Sequence, residues 1–203
     1  DHRDLHYPLR RQRQMCIRDR FCRYVDNIAD SDAPNRESIL KNIKYHLTND
    51  GKENQPIVVK EFKELVDESS ISIDAADDLM NGMLGDQNFT EVKDETELLK
   101  YCHAVAGTVG VMVQKILNCK DDESAYFAID LGVAMQLTNI ARDVLEDAVT
   151  GRKYIPRTWL DVRPERIAMK DVEDFEVVSR AIERIVSLAD QYYQSALIGI
   201  HYI

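Results

Sequence analysis

Glycine and proline are scarce in this chain, eight and five among 203 residues. Both interrupt regular structure, so their scarcity leaves few turns and excludes the many-stranded sandwiches and barrels that need one every few residues. Cysteine is as sparse. Cys16, Cys22, Cys102 and Cys119 form no CxxC pair, which argues against zinc and against a disulfide framework and favours reduced packing residues in a cytoplasmic protein. No apolar run approaches the ~20 residues of a membrane-spanning helix, and no charged-then-apolar leader opens the chain. Positive charge is in deficit too: 26 Lys and Arg face 36 Asp and Glu, for a net charge of -10. Nucleic-acid affinity comes largely from basic side chains neutralising phosphates, so DNA and RNA are excluded as partners. GxGxxG, P-loop, GxSxG and HExxH patterns are all missing, which withdraws support from dinucleotide binding, phosphate-loop chemistry, serine hydrolysis and zinc proteolysis.

What is present is 44% hydrophobic and 31% charged, the balance of a soluble globular protein with one sizeable core. From Phe21 on, apolar residues recur at helical spacing almost throughout. Ile39, Leu40, Ile43 and Leu47 predict a helix over 37–48. A DGKENQ loop at 50–55 separates it from the stripe Ile57, Val58, Phe62, Leu65 and Val66, and Ser72 or Asp74 caps a helix running to Leu84. Segments 94–117, 121–149 and 172–203 read as three longer helices, the second closed by Thr150 and Gly151. The expected class is therefore all-α, one domain over 21–203. Residues 1–20 stand apart, with six Arg against three Asp; they read either as a basic native arm or as a segment foreign to the fold.

Two helical turns carry the same acidic device. In FCRYVDNIAD, Asp26 and Asp30 are four apart with Arg23 one turn earlier; in QLTNIARDVLEDAVTGRKYIP (136–156), Asn139, Asp143 and Asp147 repeat the spacing after Gln136. Residues four apart share a face. Like charges there cost an isolated helix about 0.2–0.5 kcal/mol per pair, so water or a cation must compensate. A lone DxxxD is most often a solvated face, yet Phe21, Val25, Ile28 and Ala29 surround the first with apolar residues. Two such turns facing each other across a bundle would make an all-oxygen metal site, suited to Mg²⁺, with Mn²⁺ able to substitute, rather than to zinc or copper. Such ions bridge carboxylates to diphosphate, and Arg23, Arg142, Arg152 and Lys153 would complete the neutralisation. A third element is YCHAVAGTVG (101–110), in which Gly107 and Gly110 cost about 1 kcal/mol each relative to Ala. Close helix packing and room for a long apolar ligand explain that cost equally well. His103 reads as a packing residue rather than a catalyst.

YCxxVAGTVG at 101–110, LGxxxQLTNIxRDVxEDxxxGRxYxP from Leu131 to Pro156, and FCRYVDNIAD together resemble the squalene and phytoene synthase family of head-to-head prenyl synthases, over about residues 21–203. Asn27 departs from the acid that many members carry there. The resemblance implies a single-domain α-helical prenyl synthase fold around a central cavity, with two aspartate motifs facing each other and Mg²⁺ between them. By position, Asp26, Asp30, Asn139, Asp143 and Asp147 would bind metal. Arg23, Gln136 and Arg142 would contact substrate diphosphates, with Arg152 and Lys153 near the same mouth, and Tyr101 would stand beside the first-step chemistry. In the implied reaction one allylic diphosphate ionises and its cation is attacked by the double bond of a second. The resulting cyclopropylcarbinyl diphosphate ionises again and rearranges to a linear product.

Residues 134–160 are most similar to bacterial phytoene synthases, which join two geranylgeranyl diphosphates without NADPH. Squalene, dehydrosqualene and hydroxysqualene synthases, using farnesyl diphosphate, share the motifs and are the first alternative; a non-catalytic helical assembly subunit is the second, and a one-substrate cyclase is disfavoured by YCxxVAGTVG. Family members extend further at both ends, so the chain reads as truncated there and is expected to turn over weakly by itself, since carbocations survive only where water is excluded. The resemblance also implies a cytoplasmic monomer, loosely peripheral at the inner membrane face.

Overall fold

Helices form where the apolar spacing calls for them. The computed structural model describes residues 2–31, 33–49, 54–87, 91–119 and 121–202. Among these residues the chain is all-α, with nine helices: α1 (His2–Ala29), α2 (Arg36–Thr48), α3 (Ile57–Ser69), α4 (Ile73–Asp86), α5 (Glu95–Cys102), α6 (Thr108–Leu117), α7 (Ser124–Val149), α8 (Pro164–Ala168) and α9 (Phe175–Ile198). The one pairing of extended backbone among them is an isolated bridge between Glu91 and Lys153. Ser72 caps α4, its hydroxyl accepting from the Asp74 amide at 3.1 Å, and Asp94 caps α5 by accepting from the Glu97 amide at 3.0 Å. Gly151, at φ +80°, closes α7.

Three boundaries differ from the sequence pattern. The rod expected over 94–117 is helical from Glu95 to Leu117 but passes through a π-helical turn, His103–Gly107, between α5 and α6. The helix expected from 172 begins at Phe175, because Arg166 binds Asp174 at 2.7 Å and Asp171 at 3.2 Å and holds 171–174 as a turn; it ends in a 3₁₀ turn, Gly199–Tyr202. The α7 helix starts at Ser124 rather than 121, after a turn in which the Ser124 amide bonds the Asp121 carbonyl at 3.1 Å. Of the expected 50–55 loop, residues 50–53 lie outside the described residues. Helix α1 continues unbroken across the charge change between residues 20 and 21.

Two apolar clusters hold the helices together. The first joins Phe21 and Val25 of α1 to Leu40 and Ile43 of α2, Phe62 of α3, Leu79 and Met80 of α4, and Met112 of α6; Phe21 and Phe62 stack at 4.1 Å between centroids. The second joins Leu98 and Cys102 of α5 to Leu137 and Ile140 of α7, Ile155 and Leu160 of the following segment, and Ile185 of α9. Where they meet, α7 approaches the π turn and α6 backbone to backbone at two glycines. A Cβ on Gly110 would stand 2.0 Å from the Ala128 carbonyl oxygen, and one on Gly132 would stand 2.3 Å from that of Ala106. Backbone contact, not ligand space, explains the glycine at 110. No helix among the described residues is long and apolar enough to cross a membrane.

Candidate functional site

Between the two clusters opens a cavity of about 300 Å³. Helix α1 buries Phe21, Val25 and Ala29, and the other side of its last turn brings Asp26, with Asp30 just beyond, to the cavity edge. Helix α4 adds Met83 and Asp86. Opposite, α7 buries Leu137 and Ala148 while Gln136, Asn139, Arg142, Asp143 and Asp147 line the cavity. Tyr101 and Val105, four apart across the start of the π turn, face the same space, as do Arg152 and Tyr154. The two acidic turns, 109 residues or more apart in sequence, thus share one cavity.

Its electrostatics show charge in excess. Burial, then Asp30, raises Asp26 above the usual carboxylate range. Burial, then Asp143, pushes Asp147 up to about 6. Asp143 goes the other way: the Arg142 guanidinium donates to both its oxygens at 2.6 Å and lowers it. Asp86 is raised by burial against the opposing hydrogen bond from Tyr154 and the charge of Arg152. Among the described residues no three acids already converge into a metal cluster. The donor set, five aspartates and Asn139 with no His or Cys lining the cavity, is nonetheless the chemistry of a hard cation that keeps waters and shares its shell with a ligand's oxygens. Burial disfavours the charge of these aspartates, and a divalent ion would offset that cost.

Of the residues singled out in sequence, Asp26, Asp30, Tyr101, Gln136, Asn139, Arg142, Asp143, Asp147 and Arg152 come together here. Two do not line the cavity. Arg23 lies exposed on α1 with its Nε on Asp19 at 2.8 Å. Lys153 is 3% exposed, and its Nζ donates to the carbonyls of Leu160 at 2.8 Å and Val162 at 3.0 Å and pairs with Glu91 at 2.7 Å. The extended backbone at 152–154 accounts for this, since alternate side chains point to opposite sides and both neighbours of Lys153 face the cavity. Sequence reasoning missed Asp86 and Tyr154. The same alternation, applied to GRKYIP from Arg152, would have found Tyr154; Asp86 sits in no motif, and only the packing of α4 brings it in.

Comparison with known proteins bears on the family and the fold. The sequence model described as squalene/phytoene synthase matches residues 5–203. The 15-cis-phytoene synthase of Enterobacter agglomerans is 33% identical over 192 residues, covering 89% of this chain and 65% of that protein. A phytoene synthase of Pseudescherichia vulneris is 32% identical over 196 residues, covering 89% of this chain and 63% of that protein. A 4,4'-diapophytoene synthase of Staphylococcus haemolyticus is 33% identical over 184 residues, covering 87% of this chain and 64% of that protein. The chain thus spans less than two thirds of the length of these relatives. A crystal structure of a dehydrosqualene synthase superposes with a TM-score of 0.81 at 25% identity, covering 97% of this chain and 70% of that one.

Proposed function

The chain belongs to the squalene/phytoene synthase family, and from that premise we propose that it carries the metal and diphosphate site of a prenyl synthase that condenses two geranylgeranyl diphosphates head to head to phytoene. One observation carries the reading: two acidic turns from different helices, Asp26 and Asp30 with Asn139, Asp143 and Asp147, line one cavity beside Tyr101. Those five residues would hold Mg²⁺, which when bound supplies charge neutralisation for departing diphosphate. Arg142 and Arg152 donate to phosphate oxygens at the same mouth, and Gln136 offers an amide between them. Tyr101 stands where a phenolic oxygen can face a developing cation. No reductant is needed for a product reached by proton loss, so NADPH has no role in this reading.

Support for the C20 substrate comes from the phytoene synthases among the relatives. A farnesyl diphosphate reading has its own support in the relative named 4,4'-diapophytoene synthase and in the dehydrosqualene synthase structure. The deciding experiment incubates the chain with Mg²⁺ and each diphosphate separately, with and without NADPH, and identifies products by mass spectrometry. Phytoene from the C20 substrate alone is the expected result. A C30 product would transfer the reading to farnesyl diphosphate, and absence of Mg²⁺-dependent binding of either substrate would overturn it in favour of a helical assembly subunit.

A further inference from the structure

The cavity holds two arginines, and they are bound differently. Arg142, on an exposed stretch of α7, donates to both oxygens of Asp143 at 2.6 Å. Arg152, only 20% exposed, meets Asp86 at the end of α4 through one nitrogen at 3.4 Å. A committed charge-assisted bond measures about 2.7–2.9 Å, so the Arg152 guanidinium is held loosely and its charge is not spent on one partner. Asp86 is engaged from the same segment a second time, since the Tyr154 hydroxyl donates to its two oxygens at 2.9 Å and 3.0 Å. The backbone carrying Arg152 is fixed on both sides. Its amide bonds the Asp147 carbonyl at 2.9 Å, and Lys153, its ammonium tied to Glu91 and to the carbonyls of Leu160 and Val162, pins the next residue. Any movement here belongs to the Arg152 side chain.

With Arg142 spent on Asp143, Arg152 is the cation among the described lining residues left for the other four aspartates, Asp26, Asp30, Asp86 and Asp147. We propose that Arg152 is the counter-ion of the metal-free cavity, stationed there by Asp86 as a positioning residue, and that it gives way when a divalent ion enters. A guanidinium and a divalent ion drawn to the same few acids repel each other, so occupation by one disfavours the other. The guanidinium released from Asp86 keeps its charge and its planar fork of donors, which suit two oxygens of a diphosphate. The inference rests on reading this cavity as a metal and diphosphate site, and it orders events there: Arg152 serves the acids first and the anion second.

The test measures Mn²⁺ alone on the full chain, from the electron paramagnetic resonance signal of the free ion. Arg152→Gln should tighten Mn²⁺ binding about three- to tenfold. Arg157→Gln, which removes the same charge from an exposed side chain paired with Asp161 at 3.7 Å, should change it less than about 1.5-fold. Unchanged or weaker binding in Arg152→Gln, or no Mn²⁺ bound by either chain, overturns the proposal. If Arg152→Gln does not fold, the unaltered chain carries the test through phenylglyoxal, which modifies accessible arginines and is mapped by mass spectrometry. Mg²⁺ should speed modification of Arg152 about threefold and leave Arg157 as it was, and Asp86→Asn should give the same acceleration without metal; a constant Arg152 rate in either case overturns the proposal. With Mg²⁺ present the sign inverts: Arg152→Gln should bind geranylgeranyl thiodiphosphate about tenfold more weakly, and an affinity that rose together with that for the metal would count against the second role. Should the unaltered chain bind no analogue, the functional reading fails, while Mn²⁺ and phenylglyoxal still decide the place of Arg152.

Discussion

The two walls of the cavity are built from the same device and differ in charge. Among the described residues lining it, the α1–α4 wall presents Asp26, Asp30 and Asp86 and no cation; the α7 wall with residues 152–154 presents Asp143 and Asp147 together with Arg142 and Arg152. Asp143 consequently lies below the ordinary carboxylate range, although burial still pushes Asp147, one turn further on, up to about 6; across the gap Asp26 lies above the range with no cation bonded to it. One wall arrives partly neutralised, and the other requires positive charge from outside or from across the gap. Arg152 already reaches across, to Asp86 at 3.4 Å. Two identical-looking sequence signals thus mark a giver and a taker of charge.

The largest expected effect comes from removing an acid on the uncompensated wall. Asp26→Ala should lower Mg²⁺-dependent affinity for a prenyl thiodiphosphate about 100-fold, about 2.7 kcal/mol. Asp143→Ala should cost clearly less, because it releases Arg142 to the phosphate. Calorimetric titration of both variants checks this, and equal losses would abolish the distinction between the walls. Next comes the pin behind the compensated wall. Lys153→Met leaves two buried carbonyls and a carboxylate without their ammonium, so urea unfolding should show a loss of about 2–4 kcal/mol. A loss below about 0.5 kcal/mol would place Lys153 at the surface and return it to the pool of diphosphate ligands.

Much of this was legible in the sequence, and the limits have physical causes. Period gave α2, α3 and α4, with a cap for α4, because those helices bury one stripe each, Leu40, Ile43 and Leu47 in α2 for instance. The π turn was invisible: it adds one residue to a helix without changing the composition, and only the seam where Gly132 meets Ala106 shows why the rod must adjust there. Cavity residues on motif turns were found because spacing of four is a local property. Asp86 escaped because its partner is Tyr154, 68 residues away, and nothing local separates it from any other acid at a helix end. Lys153 misled for the opposite reason: its neighbours belong at the cavity, and a side-chain charge count cannot see that the backbone turns every second residue away.

A pair of cysteines, one behind each wall, sharpens the comparison further. Burial pushes the thiol of Cys22 up to about 11 and that of Cys102 up to about 12. For Cys102, stability is fully present below the unfolded thiol's pKa of 9.0 and is lost as pH rises towards 12, because the unfolded chain releases its proton first. At pH 8 both should resist iodoacetamide in the native state. Cys22, only partly covered on α1, should label faster than the fully buried Cys102, with exposed Cys16 as the internal standard. The reverse order would make the α7 wall the one that opens.

The smallest expected effect concerns Arg23, which family position nominates as a diphosphate contact and which the structure leaves exposed beside Asp19 at 2.8 Å. An exposed pair four residues apart on a helix contributes about 0.3–0.5 kcal/mol, so Arg23→Ala should lower stability by no more than that. Thiodiphosphate affinity should move less than about threefold, since the guanidinium does not line the cavity, whereas Arg152→Gln removes a cation that does and should cost about tenfold. Binding titrations of the two variants side by side separate the cases. A loss for Arg23→Ala equal to that for Arg152→Gln would mean that Arg23 leaves Asp19 when anion arrives. The α1 wall would then possess a cation of its own, held in reserve one turn before Asp26, and the asymmetry between the walls would be a property of the empty cavity alone.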